Sequence, residues 1–425
     1  MFSYACLLAT FANCALAQFP FSSETDSILY QALAGSGSYS EVSYMDPNTC
    51  ACNKGGSSSF SGAMGVLAEE FSLHFRGPIN LKKLAVYDLS SSSSKRDAEA
   101  DADADADADC DSETALARRH LHHAHKRDPA IETVYVIKTV TAGAAPEGSS
   151  YVPPYYPPAD TSAPAVASFN GGSASPVADS SAPAASSAAT GGAWSRSGYY
   201  DASSGTLQGL TFLNNAGSDS VSGTFDTCWG SSLSYAASDG ISAASSSQVL
   251  SDTVIGSSKE FSIFTDQKCG ASGTDCGYYR PGTVAYHGFS GYNKIFLMQF
   301  EMPNLNDGNN MPAVWFLNAK IPRTQQYGDC SCWPNCGEFD VFECVENGDT
   351  RMISHFRGGG ADIGNSRWIE RPTSSAGTYI VFFDATNGKT ILADVTGSIS
   401  DFSASLPDSL VSQWKTLSSA STTVF

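Results

Sequence analysis

Positive charge is scarce in this chain of 425 residues. Lys and Arg number 24 against 43 Asp and Glu, for a net charge of −19, and only 16% of residues are charged at all. A nucleic-acid partner is therefore not expected, because such proteins cluster cations to displace counterions from phosphate. An anionic membrane surface is disfavoured on the same ground. No stretch reaches the 18 or so apolar residues of a transmembrane helix, and the end SLVSQWKTLSSASTTVF lacks a lipid-anchor tail. No membrane anchor is expected. There is no Asn-x-Ser/Thr sequon and no nucleotide, flavin or haem motif, so no cofactor is expected.

What is present divides the chain. Residues 1–17, MFSYACLLATFANCALA, are a short apolar run ending in Ala-Leu-Ala, the pattern of a secretory signal peptide. The expected location is outside the cell. Ten cysteines follow it, and an oxidising compartment should pair most of them. The cluster Cys330, Cys332, Cys336 and Cys344 also leaves a zinc site open.

Residues 18–90 are rich in Gly and Ser but carry strand-like spacing, above all over 60–89, and read as a small β module. Residues 91–127 hold the pairs Lys95-Arg96, Arg118-Arg119 and Lys126-Arg127 around an Asp-Ala repeat. That reads as a processing segment open to a kexin-type protease. Its His120, His122, His123 and His125 leave copper or zinc binding open. Residues 128–193 read as an Ala/Ser/Pro-rich linker. Nine acids without a base fall within 97–113, so much of the net charge belongs to the processing segment.

From 194 to 425 short runs rich in Val, Ile, Phe and Tyr alternate with Gly, Asn, Asp and Ser, as in NKIFLMQFEM, PAVWFLNAKI and GTYIVFFDA. No amphipathic stripe of helical period extends over 12 residues or more. The fold class expected is all-β, a two-sheet sandwich of jelly-roll type, and a monomer.

Within that stretch, WPNCGEFDVFE (333–343) carries the chemistry. Strand alternation puts Glu338 and Asp340 on one face and Phe339 and Val341 on the other. Continued strictly, it would aim Glu343 at the core, which is costly for a charge. One extra residue near Val341 or Phe342, a β-bulge, returns Glu343 to the face of the other acids. Three aligned carboxylates repel one another, so at least one should hold its proton above the usual range. A retaining glycosidase needs one ionised and one protonated carboxyl about 5–5.5 Å apart. Acids on a strand can also be merely solvated, and clustered carboxylates suit calcium.

The same residues carry a resemblance. WPNCGEFDVFE is similar to the active-site strand of glycoside hydrolase family 16, the laminarinase-like β-jelly rolls. MPAVWFL (311–317) resembles the strand before it, and ISHFRGG (353–359) the strand after it. The whole layout resembles the fungal Tos-type cell-wall proteins. By this resemblance Glu338 is the nucleophile, Asp340 its helper and Glu343 the general acid/base. Trp315 and Trp333 are sugar-stacking walls, and His355 contacts a carboxylate or the substrate. The activity implied is that of an endo-β-1,3-glucanase or transglycosylase on cell-wall β-glucan. The alternative is a non-catalytic wall protein that binds carbohydrate. Two departures stand out: Met311 replaces the family's Trp, and only 82 residues follow Glu343, few for the return strands of such a sandwich.

Overall fold

The computed structural model describes residues 23–31, 35–89, 194–270, 275–290, 292–417 and 422–424. The signal peptide, the processing segment with its His cluster, the linker and Cys110 lie outside the described residues.

Twelve strands carry the architecture. They are β1 (Ser27–Gln31), β2 (Glu70–Arg76), β3 (Asn80–Leu89), β4 (Trp194–Asp201), β5 (Leu210–Asn214) and β6 (Glu260–Thr265), then β7 (Lys294–Glu301), β8 (Ala313–Asn318), β9 (Glu338–Glu343), β10 (Arg351–Gly358), β11 (Gly377–Asp384) and β12 (Lys389–Asp394). One antiparallel sheet runs β10-β9-β8-β2-β6-β5, and the other runs β4-β3-β7-β11-β12-β1.

The sheets pack through aromatic side chains. The Phe316 ring of β8 meets Phe296 of β7 at 4.8 Å and Phe383 of β11 at 5.3 Å, and Phe342 of β9 meets Tyr379 of β11 at 5.2 Å. Edge-on pairs at these separations add to the area each ring buries. The all-β sandwich expected from sequence is the fold observed. The far face of the second sheet is also covered: Trp194, Leu297, Ile380 and Phe382 pack with Val411 and Trp414 of the helix Asp408–Lys415.

The boundary between a module at 18–90 and a later domain is corrected by the strand order. β2 lies between β8 and β6, β3 lies between β4 and β7, and β1 lies against β12. A lone β2 or β3 would expose unpaired backbone on both edges and one bare apolar face. Both needs are met only by strands from beyond residue 193. The described residues accordingly form one compact unit. The short stretch after Glu343 has the same explanation, because strands from the other end of the chain complete the sheets.

Disulfides Cys50–Cys228 and Cys52–Cys330 join the same two stretches, across 178 and 278 residues of sequence. Cys269 pairs with Cys276 and Cys332 with Cys336. Three of the four cysteines of the candidate zinc cluster are thus oxidised. Cys344 is a buried free thiol, the exception among the described residues to the pairing expected of most cysteines.

Candidate active site

The bulge expected in β9 is present. Against β8, Trp315 faces Asp340 while Val314 faces Phe342, so Val341 is the extra residue; the register also shifts against β10 between Asp340 and Glu343. Val341 and Phe342 are consecutive yet both join the core, and the next residue returns to the face of Glu338 and Asp340. Gly337 enters this strand at φ 110°, and a Cβ there would meet Val66 Cγ2 at 2.9 Å, so the approach requires glycine.

Cross-strand neighbours share a face, so the register defines what surrounds each acid. Glu343 lies in a row with Ala313, Arg76 and Glu260. Asp340 lies in a row with His355, Trp315, His74 and Ser262. Glu338 lies in a row with Arg357, Leu317 and Ser72. All three acids are half-buried.

Each acid has its own partner. Arg76 donates from Nη2 to Glu343 Oε1 at 2.9 Å and from Nε to the Met311 carbonyl at 2.9 Å. Trp333 Nε1 donates to Glu338 Oε2 at 3.1 Å. Asp340 Oδ2 lies 4.0 Å from His355 Nδ1, and His355 Nε2 is 2.6 Å from Asp362 Oδ1. Burial, and then the charge of Glu343, push the Glu338 carboxyl up to about 7, against the pull of Arg357, Trp333 and Arg76. Burial and the charges of Glu343 and Glu338 hold Asp340 well above the usual carboxylate range. The repulsion anticipated from three aligned acids is thus expressed at Glu338 and Asp340. Burial and the Arg357 charge lower His355, against Asp362, which favours the imidazolium.

The two tryptophans separate. Trp333 is 43% exposed and stands over Glu338 beside a groove of about 370 Å³, lined also by Asn335, Arg357 and Asp362. Trp315 is 7% exposed and stacks on His74 with ring centroids 5.1 Å apart. Little of its ring is open, and it sits as a nearly buried neighbour of Asp340 rather than as an exposed wall.

Models of the cell wall protein YJL171C/Tos1 match this sequence twice, the N-terminal one over residues 26–89 and the C-terminal one over residues 192–414. The chain is 38% identical to the probable circularly permuted 1,3-beta-glucanase TOS1 of Saccharomyces cerevisiae, over 94% of this chain and 92% of that protein. The corresponding figures for the protein of the same name in Candida albicans are 37%, 93% and 91%. A probable circularly permuted 1,3-beta-glucanase of Schizosaccharomyces pombe is 35% identical, over 89% and 88%. The chain belongs to the Tos1/YJL171C cell wall protein family. No solved structure matches it.

The sequence of this family member marks strands over 60–89 but gives no sign that β2 lies beside the acids. EFSLHFR brings Arg76, His74 and Ser72 onto the acid-bearing face from more than 230 residues upstream. The Ser72 hydroxyl is 2.7 Å from His74 Nε2 and donates to the Leu317 carbonyl at 3.1 Å. Burial depresses His74 to about 3, which leaves the imidazole neutral near pH 7. What the sequence does show is that Glu, Ser, His and Arg alternate with Phe, Leu and Phe, the pattern of a strand with one apolar and one polar face. Among the described residues, no helix is long and apolar enough to cross a membrane.

Proposed function

We propose that this protein is a secreted, cell-wall β-1,3-glucan hydrolase or transglycosylase working by retaining double displacement. The observation that carries the proposal is the bulged strand β9, which puts Glu338, Asp340 and Glu343 on one face. The names of the full-length relatives support the substrate class and the reaction. Those relatives are described as circularly permuted. The chain order here agrees, since β1, β2 and β3 sit among strands from the far end of the sequence.

In the first step the proton that Glu338 holds at rest passes to Glu343; Glu338, now ionised, attacks the anomeric carbon and Glu343 gives the proton to the departing oxygen, leaving a glycosyl ester on Glu338. In the second step Glu343 takes the proton from water or from a sugar hydroxyl, and that oxygen displaces Glu338. Which acceptor enters decides between hydrolysis and transfer. Asp340 holds its proton and can donate it in a hydrogen bond to a neighbouring carboxylate. Trp333 donates to Glu338 and offers an exposed ring to a pyranose face. His355 buttresses Asp340, and Trp315 lies beside it.

Glu338→Gln, assayed on β-1,3-glucan oligomers, is expected to lose at least about a thousandfold in kcat. Product formation at the wild-type rate would overturn the assignment. Azide supplied to Glu338→Ala is expected to give a glycosyl azide of inverted configuration, and to Glu343→Ala one of retained configuration. The reverse outcome would exchange the two roles.

A further inference from the structure

The loop from Gln325 to Cys336 carries two large exposed rings, each tied at its polar end to the acid-bearing face. Trp333 reaches Glu338 through its indole N–H. Tyr327 is 55% exposed and donates its hydroxyl to Glu260 Oε2, while Gln326 Nε2 donates to that hydroxyl at 2.6 Å. Glu260 faces Arg76 across the β6–β2 pair, and Arg76 reaches Glu343. Glu338 and Glu260 lie on β9 and β6, which β8 and β2 separate. Three strand spacings of about 4.8 Å separate them by about 14 Å across the sheet, and the four residues from Ser72 to Arg76 by about 13 Å along it, which puts them about 19 Å apart. The acids therefore have one anchored aromatic beside Glu338 and a second beyond Glu343 and Arg76.

The loop is braced to hold both rings. Cys330 ties it to Cys52, Cys332 and Cys336 close its second half, and the Cys330 backbone N–H donates to Gln325 Oε1 at 3.1 Å. Fixing each polar tip leaves the rings in place before any ligand arrives, which lowers the entropic cost of stacking. A pyranose presents C–H groups on its faces and hydroxyls on its rim, so a ring with an anchored polar edge suits it.

We infer that Tyr327 is a specificity-determining residue that pairs with Trp333 to grip one glucan chain on both sides of the acids. The inference rests on the glucanase reading above. It requires that substrate be long enough to reach both rings. The Tyr327 ring makes the contact, and its hydroxyl orients the ring.

The test measures kcat and KM on β-1,3-glucan oligomers of increasing length for the wild type, Tyr327→Ala, Tyr327→Phe and Trp333→Ala. Tyr327→Ala is expected to raise KM about five- to tenfold on the longest oligomers and to leave the shortest substrates unchanged. Tyr327→Phe keeps the ring and should stay within about twofold of the wild type. An equal change at every length, or none at any length, would overturn the inference. So would a Phe variant as impaired as the Ala variant, since the hydroxyl would then be the functional group. Binding of the same oligomers to Glu338→Gln, with and without Tyr327→Ala, reads the platform without turnover. A wild type that binds glucan with this Tyr327 dependence but never cleaves it would retain the platform and reject the glucanase reading. Cleavage with no Tyr327 effect would do the opposite.

Discussion

The two sheets are built from the same residue types and put to different uses. β11, Gly377–Asp384, is buried along its whole length: Val381 and Phe383 face the inter-sheet core, while Ile380 and Phe382 face the layer held by Val411 and Trp414. β9, Glu338–Glu343, is buried on one face only. Its Phe339, Val341 and Phe342 enter the core while its three acids stay half-buried on the other side. A doubly covered strand holds a carboxylate only at its end, where a partner reaches it as Lys415 reaches Asp384 at 3.6 Å, because a charge without a partner would cost desolvation. A singly covered strand can concentrate charge, and the bulge converts that freedom into an acid triad. In this molecule the second sheet is covered on both faces, and the first leaves one face to the acids.

The comparison breaks most visibly at the inter-sheet contact. Phe316 touches Phe296 and Phe383 and lies beside no acid. Phe316→Ala should cost about 3–5 kcal/mol of stability through lost burial and the cavity left behind. The kcat per folded molecule should stay near the wild-type value. Denaturant titration followed by activity at a fixed folded fraction separates these quantities. A loss of kcat in fully folded protein would mean that the core also tunes the acids.

Arg76 sharpens the comparison from the other side. It lies on the acid-bearing face and is held by Met311 and Glu343. Arg76→Met should lower kcat by about a hundredfold, the size typical of losing one preorganised charge near reacting groups. Arg76→Lys should restore part of the loss, because a single ammonium keeps the charge but not both hydrogen bonds. Unchanged turnover in the Met variant would reduce β2 to a structural strand.

Much of this was legible in the sequence where the physics is local. The alternation in GEFDVFE, together with the cost of aiming Glu343 at a core, was enough to call for the bulge. The Val- and Phe-rich runs marked β7, β8 and β11. What was not legible depends on contacts remote in the chain. Composition set 18–90 apart because Gly and Ser are dense there, yet the pairing of β2 with β8 is decided by which edges remain free once the sheet assembles. Trp315 read as a wall because the resemblance to family 16 implies a sugar-stacking Trp at that position. That His74 covers it from a strand some 240 residues away cannot be read from neighbouring residues. Tyr327 lies in a Cys-rich loop whose course is fixed by Cys52, far upstream.

The smallest effect is the most diagnostic of how the acid-bearing face differs from the packed one. Glu338 holds its proton up to about 7 in the folded protein, mainly because it is buried and then because Glu343 is charged nearby. In the unfolded chain a glutamate gives up its proton near 4.5. Below that pH both states are protonated, and the contribution of this group to stability is fully present. Between about 4.5 and 7 the unfolded state ionises while the folded state does not, so stability falls as pH rises. Above 7 the loss is complete. Asp340, also raised, acts with the same sign. Wild-type melting temperature should therefore decline by a few degrees across this window. Glu338→Gln, which has no proton to lose, should flatten the decline. Melts of the two proteins from pH 4 to 8 test this directly. Parallel curves would show that Glu338 ionises in the folded state as freely as in water, and that the acid face is less strained than its geometry requires.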